Sequence, residues 1–477
     1  MSIASTPPPA LRHTAPLAQA RDHLRAVPPL RPDAAPAVPA VVTAALPVPT
    51  LGGVVDYANF DHAASTPALV SVAQAVESTL RTYSSVHRGN GYASRVTSAW
   101  YEQARAEVAE FVGARSHDEV VFTRNSTDSF NLLASTLPRD TTVFVFETEH
   151  HAALLPWKHR NTVRLPVPGS ARDAETLLRT ALKTRHGRHR LVVLAGASNV
   201  TGEVWPVRRL AAIAREAGAR VVLDAAQLAP HRRVSLAELD VDYIVLSGHK
   251  LYAPYGAGVL AGRADWLDAA HPYLAGGGAT KSVTERGTVW HTGAARHEAG
   301  SPNVVGAVAL AAACHTLRAN AETVEAHERV LGGRLLDGLR SIEGVQTYSL
   351  FGEDHDRVAV ATFTIDGLDS SLVSTVLSAE HGIGVRDGKF CAHLCVDALL
   401  DVLPDDLDDD VTDPYAAAPA TAVRASIGLA TTAAHVERLL AAVAELAANG
   451  PQAEYVQTPQ GWVTSDDPRE ALPARPW

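Results

Sequence analysis

Three short stretches carry side chains whose types and spacing could do chemistry. In RVVLDAAQ (220–227) a carboxylate, Asp224, ends a run of apolar residues and precedes Gln227. A carboxylate after a buried strand is costly without a cationic partner. An Asp in this place also serves as a helix N-cap. In DYIVLSGHK (242–250) a lysine, Lys250, follows a similar run through Ser247, Gly248 and His249. A lone lysine at a strand end is ordinarily a snorkelling surface group. In VFTRNSTDSFN (121–131), Asn125, Ser126 and Thr127 stand where a helix should begin. They either cap it or hold a phosphate on free backbone amides and hydroxyls.

Taken together, the three stretches converge on one chemistry. A phosphate cradle, a buried carboxylate and a lysine on one sheet edge are what pyridoxal 5′-phosphate requires. The amine forms a Schiff base with the aldehyde, and the carboxylate keeps the pyridine nitrogen protonated. Lysine is scarce, being only Lys158, Lys183, Lys250, Lys281 and Lys389 among 42 Lys and Arg. Lys250 is the best candidate, since Lys158 and Lys183 sit in basic, polar surroundings, Lys281 follows a glycine run and Lys389 belongs to the separate stretch that holds Cys391.

Alternating strands and helices must position these residues. Apolar spacing predicts a helix over 96–112, capped by Thr97. Strands are expected at 120–123, 142–146, 190–195, 220–223 and 242–246, with helices at 126–137 and 207–217. This rhythm predicts an α/β fold with a mostly parallel sheet flanked by helices. Ligands in such sheets bind at the carboxyl ends of the strands. Two successive helices are expected over 303–340, then a strand at 358–365, a helix at 370–380 and a last helix at 433–448. The predicted domains are an Ala/Pro-rich, disordered arm (1–50), a large cofactor domain (51–320), a smaller α+β C-terminal domain (321–450) and a tail without clear period (451–477). The acidic stretch 403–420 reads as a loop.

Composition narrows the class. The 477 residues are 46% hydrophobic and 20% charged, with a net charge of −10. That describes a globular chain and argues against bulk-charge binding to nucleic acid. No run of ~18 apolar residues predicts a membrane span. Three cysteines exclude a disulfide scaffold and imply a reducing, cytoplasmic setting. No paired Cys-x-x-Cys spacing supports a metal site.

Several long motifs in order resemble the class V aminotransferase fold (fold-type I) and, within it, the cysteine desulfurase and selenocysteine lyase group. They are DHAASTP (61–67), SSVHRGNGYAS (84–94), YEQAR (101–105), VVFTRNSTDSFNLLA (120–134), EHHAALLPW (149–157), SNVTGEVWPV (198–207), DAAQ (224–227), SGHKLYAPYGAGVL (247–260), EAGSPN (298–303), VRDGKFCA (385–392) and RASIGLATT (424–432). The resemblance implies roles by position. Lys250 is the Schiff-base lysine and moves the substrate α-proton. Asp224 pairs with the pyridine nitrogen, and Gln227 bonds the phenolic oxygen. His150 stacks on the ring and donates a proton. Ser126, Thr127, Ser247 and His249 take the phosphate, and Ser301 reaches it from the partner subunit of a homodimer. Asn199 lies near ring and substrate. Arg424 clamps the substrate carboxylate, and Arg386 is a second arginine near the nucleophile.

Cys391 decides which reaction the resemblance implies. In the desulfurases a cysteine at this place attacks the substrate sulfur, and nearby Arg386 and Lys389 would favour its thiolate. The implied reaction converts L-cysteine to L-alanine with a persulfide on Cys391, with selenocysteine as a related substrate and a sulfur-acceptor protein as partner. The alternative is another class V enzyme, a C–S lyase, epimerase or aminotransferase, in which Cys391 is a small core thiol. A weakly catalytic scaffold that binds a partner through the acidic loop is a further alternative. Cys395 and Cys314 read as core. The chain departs from the family pattern at Asn125-Ser126-Thr127, where Gly-Thr-Thr is common. It departs again at Lys389-Phe390, where two polar or His residues are common.

Overall fold

The computed structural model describes residues 30–31, 35–43, 45–87, 89–157, 160–185, 187–402, 420–459, 461–465, 467–470 and 473–476. Lys158, most of the expected arm (1–29) and nearly all of the acidic stretch (403–419) lie outside the described residues.

The chain enters through three short strands, β1 (Pro47–Thr50), β2 (Gly53–Asp56) and β3 (Ala58–Asn59), and two helices, α1 (Val70–Thr82) and α2 (Tyr92–Phe111). Helix α2 begins earlier than its apolar spacing predicts, and Gly91 is its N-cap. Thr97 is therefore not a cap. It is buried inside the helix, and its hydroxyl donates to the carbonyls of Ala93 (2.9 Å) and Thr82 (3.0 Å). The first turn buries only the polar Ser94, and Tyr92 is 81% exposed, so it carries no apolar signal.

Seven strands then form the main sheet. They are β4 (Asp118–Thr123), β5 (Thr141–Phe146), β6 (Asn161–Leu165), β7 (His189–Ala195), β8 (Arg220–Asp224), β9 (Tyr243–Ser247) and β10 (Gly258–Arg263). Their spatial order is β4-β10-β9-β8-β7-β5-β6, and only β10 runs against its neighbours. The interposed helices are α3 (Ser126–Thr136), α4 (His151–Leu154), α5 (Ala171–Thr184), α6 (Val207–Glu216), α7 (Leu236–Leu239) and α8 (Ala264–Ala269). Side chains alternate between two cores. Phe144, Val192, Leu223 and Ile244 face one, while Val143, Val193, Val222 and Val245 face the other. A strand buried on both faces reads as a continuous apolar run, which is why the strands are short and β-branched.

Register brings the polar strand ends together. Asp224 lies beside Ala195 on β7 and Val245 on β9, and Gly258 lies between Ser247 and Thr123. Gly258 admits no side chain. A Cβ there would stand 2.5 Å from Asn125 Cα and 2.6 Å from its carbonyl carbon. Backbone cannot yield as a flexible side chain does, so Gly258→Ala is expected to destabilise the chain by about 1–3 kcal/mol. A lowered urea midpoint checks this, and an unchanged midpoint counts against so close an approach.

Beyond the hairpin β11 (Thr280–Thr284) and β12 (Gly287–Trp290), helices α9 (Val304–Ala319) and α10 (Ala321–Arg340) meet at Asn320. Asn303 caps α9, accepting from the Gly306 amide at 2.9 Å. An antiparallel sheet of order β13-β14-β17-β16 follows, from Val345–Thr347, Val360–Ile365, Ala422–Ser426 and Arg386–Gly388. The two-residue β15 (Ile383–Gly384) pairs with β3 instead. Helices α11 (Ser370–His381) and α13 (Ala433–Asn449) pack on this sheet through Leu377, Phe363, Val423 and Leu440. Helix α12 (His393–Leu399) follows the turn that carries Cys391. The tail is not featureless, since β18 (Tyr455–Thr458) and β19 (Gly461–Thr464) form a hairpin. Among the described residues no single helix is long and apolar enough to cross a membrane.

Candidate active site

Eleven of the residues singled out in the sequence line one cavity of about 240 Å³ at the carboxyl edge of the main sheet. They are Ser126, Thr127, His150, Asn199, Asp224, Gln227, His249, Lys250, Arg386, Cys391 and Arg424. Two stand apart. Ser247 ends β9, fully buried and outside the cavity lining, and its hydroxyl has no hydrogen-bond partner among the described residues. Ser301 is exposed on the loop before α9, away from this cavity.

One end of the cavity is the N-terminus of α3. Asn125 caps it, accepting from the Asp128 amide at 3.0 Å. The cap leaves the amides of Ser126 and Thr127, the first helical residues, without partners inside the helix. With their hydroxyls and the helix dipole they make an anion site.

The floor is Asp224. Its Oδ1 accepts from the Ala226 amide at 2.9 Å. Burial pushes its carboxyl up, while that hydrogen bond and the Lys250 charge oppose the rise. The Lys250 Nζ donates to Gln227 Oε1 at 3.4 Å. Desolvation and then the Arg424 charge lower the lysine to about 8, against the pull of Asp224. A fraction of the amine is therefore neutral and nucleophilic near physiological pH. Behind Gln227 runs a buried chain. Gln227 Nε2 lies 3.3 Å from His231 Nε2, and His231 Nδ1 lies 2.5 Å from Glu328 Oε1 on α10. A carboxylate only accepts, so His231 Nδ1 must donate to it. In a neutral His231 the Nε2 then accepts from the Gln227 amide, which turns the Gln227 carbonyl toward Lys250.

His150 caps the short α4 and accepts from the Ala152 amide on Nδ1 at 3.1 Å. Burial, and then the Lys250 charge, lower it to about 3. The ring is thus neutral, with its proton on Nε2. Glu149, not singled out in the sequence, is fully desolvated beside it. Its Oε1 accepts from the Ala195 amide at 2.8 Å, and its Oε2 has no partner among the described residues. Burial and the neighbouring Asp224 raise it to about 8 from an ordinary 4.5.

That rise makes stability depend on pH. Below about pH 4.5 the Glu149 carboxyl is protonated in folded and unfolded chains alike, so its folded environment costs nothing. Between there and about 8 unfolding releases a proton, so stability falls as pH rises. The loss is of order 5 kcal/mol. Glu149→Gln keeps an acceptor for the Ala195 amide and removes the titration. Urea midpoints at pH 5 and pH 8 should fall less for the variant than for the natural chain, and equal slopes would refute the assignment.

The opposite wall comes from the C-terminal sheet. Arg424 on β17 lies directly across from Arg386 on β16. Asp61 stands between them, 3.2 Å from one Arg424 nitrogen and 3.8 Å from an Arg386 nitrogen. Cys391 is exposed to the cavity at the head of α12. Both Phe390 and Cys391 take left-handed backbone, with φ of 52° and 54°. Such geometry costs about 1–2 kcal/mol per residue outside glycine. Hydrogen bonds hold it, from Asn199 Nδ2 to the Phe390 carbonyl (2.9 Å) and from the His151 amide to the Cys391 carbonyl (2.8 Å). Lys389, expected to favour the thiolate, is instead paired with Asp397 at 2.6 Å, which neutralises its charge locally. Cys395 is fully buried, and burial followed by Glu203 pushes its thiol up to about 12. Burial likewise raises Cys314 in the core.

The profile of the class-V aminotransferases matches residues 58–439, and the chain belongs to that family. Such enzymes work with pyridoxal 5′-phosphate. A "Probable cysteine desulfurase" of Vibrio cholerae is 33% identical over 370 residues, covering 75% of this chain and 85% of the relative. A "Probable cysteine desulfurase 2" of Mycobacterium leprae is 36% identical over 321 residues, covering 64% and 76%. Among solved structures, the apo cysteine desulfurase of Thermococcus onnurineus superposes with a TM-score of 0.72 at 29% identity, covering 82% of this chain and 95% of that one. The S-sulfonic acid form of Escherichia coli CsdA gives 0.68 at 30%, covering 81% and 94%. Within the family the chain groups with the cysteine desulfurases.

Proposed function

We propose that the chain is a cysteine desulfurase that converts L-cysteine to L-alanine and takes the sulfur onto Cys391. The observation that carries this reading is the convergence of an exposed thiol, Cys391, and a desolvated amine, Lys250, on one cavity. The surrounding groups fit pyridoxal 5′-phosphate, since a helix N-terminus with two hydroxyls and a buried carboxylate flank Lys250, the only lysine in the lining among the described residues. When bound, that group supplies a sink for the electrons released at the substrate α-carbon.

The chain's own residues do the rest. Lys250 would hold the aldehyde of the bound group and would carry the α-proton on its Nζ. Asp224 would pair with the ring nitrogen, Gln227 would take the phenolic oxygen, and neutral His150 would cover the ring and offer its Nε2 proton. Ser126, Thr127 and His249 would hold the phosphate, Ser247 would reach it only from beneath the lining, and Ser301 would serve the partner subunit of a homodimer. Arg424 takes the substrate carboxylate through its planar fork, with Asn199 and Arg386 beside it. The Cys391 thiolate attacks the substrate sulfur. An S–S bond forms, the Cβ–S bond breaks with its electron pair left on carbon, and a proton completes alanine. No outside oxidant enters. Residues 51–320 act as the cofactor domain and 321–450 as the domain that brings Cys391 and Arg424 to it.

The test supplies the loaded protein with cysteine, cysteine sulfinate and selenocysteine in parallel. Stoichiometric alanine and a one-sulfur mass gain on the Cys391 peptide are expected with cysteine. Pyruvate and ammonia in place of alanine would overturn the reading in favour of a lyase.

A further inference from the structure

We infer that Phe390 and Asn199 are positioning residues that lock the Arg424 guanidinium to the turn carrying Cys391. The inference rests on the desulfurase reading for the identity of the substrate, and on geometry for the clamp itself. The three residues close a ring of contacts. One Arg424 nitrogen donates to the Asn199 carbonyl at 2.9 Å. Asn199 Nδ2 donates to the Phe390 carbonyl at 2.9 Å. The guanidinium stands over the Phe390 ring, 4.9 Å from its centroid.

The ring joins three distant parts of the chain: the segment after β7, the turn before α12, and strand β17. All three residues are buried, so these contacts form away from bulk water, where a cation over an aromatic face is strongest. Arg424 has one face against Phe390 and single bonds to Asn199 and Asp61, while its Nε has no partner among the described residues. A planar cation held by its face keeps an edge for a planar carboxylate.

Phe390 cannot leave this position cheaply. It packs with Val200, Leu350, Val396 and Ala422. Its backbone leads directly into Cys391, so what fixes the ring also fixes the nucleophile. The distance between carboxylate site and thiol is thereby set by a closed unit rather than by a free loop. An aromatic residue here is one of the two points where the motif departs from the family pattern.

The experiment compares Phe390→Leu, which keeps apolar volume but has no π face, with Phe390→Tyr, which keeps the face. Phe390→Met takes the place of the leucine variant if that chain does not fold. In the loaded enzyme, Phe390→Leu should raise KM for cysteine about tenfold and lower kcat several-fold, and Phe390→Tyr should restore both. A second readout needs no cofactor and no turnover. Cys391 is alkylated with anionic iodoacetate and neutral iodoacetamide, and the Cys391 peptide is quantified. The rate ratio reports a cation held beside the thiol. It should fall several-fold in Phe390→Leu and recover in Phe390→Tyr. Unchanged KM and unchanged ratio in Phe390→Leu would overturn the clamp, as would failure of tyrosine to restore either. If the natural chain forms no alanine, the desulfurase reading fails, and the alkylation ratio alone decides the clamp.

Discussion

Lys250→Ala is expected to reduce alanine formation from cysteine by at least about four orders of magnitude, because covalent attachment and proton transfer both leave with one amine. No other lysine lines the cavity among the described residues, and Lys389 is held by Asp397. Lys250→Arg should fare no better, since guanidinium stays charged and cannot form the imine. Its own burial makes the natural lysine suited to the task. Desolvation, with Arg424 nearby, lowers it to about 8, so the neutral amine grows as pH approaches that value and levels off above it. Loading of the unloaded chain with pyridoxal 5′-phosphate should follow this rise. Borohydride reduction and peptide mapping should place the label at position 250. A label on another lysine would move the whole site.

Cys391→Ala should separate the thiol from the cofactor. Loading should be unchanged, because no atom of Cys391 is needed to hold the ring or phosphate. Alanine formation should fall about a thousandfold, the scale for removing a nucleophile from a constellation that otherwise stays intact. Cys395→Ala is the control. Its thiol is buried and pushed up to about 12, so it supplies no thiolate and its loss should leave turnover near normal. A Cys391→Ala enzyme that forms alanine at the full rate would remove Cys391 as nucleophile while leaving Lys250 in place.

Much of this site was legible before any coordinates. The strand ends around Asp224, Lys250 and Ser126 were visible because buried parallel strands are short apolar runs, and a polar residue that closes such a run stands out. Helix starts were legible where a side chain caps, as at Asn303 and Asn125. They were not legible at α2, whose first turn buries only the polar Ser94 and carries no periodic signal, and whose cap is Gly91. The tail hairpin also escaped, because exposed Val456 and Val463 make no core face for alternation to report.

Which functional residues meet one another had no signal in the local sequence. Asp61 meets Arg424 across 363 residues, and Arg424 meets Asn199 across 225. Glu328 sits in an ordinary amphipathic helix, yet it turns His231 and through it Gln227. Glu149 looked like one more acidic residue until Asp224 and full burial surrounded it.

By itself the order of residues determined five of the seven strands of the main sheet, its polar edge and the candidate amine, because those follow from local periodicity and from which side chains can do the chemistry, while Cys391 entered through the resemblance of its motif. Only the tertiary structure decided that Asp61, Arg386 and Arg424 form one charged wall, that Lys389 is spent on Asp397, and that Phe390 braces Arg424 against the turn of Cys391. The reason is physical. A charge or ring acquires its role from the groups packed around it and from the water they exclude, and neither is encoded within a window of neighbouring residues.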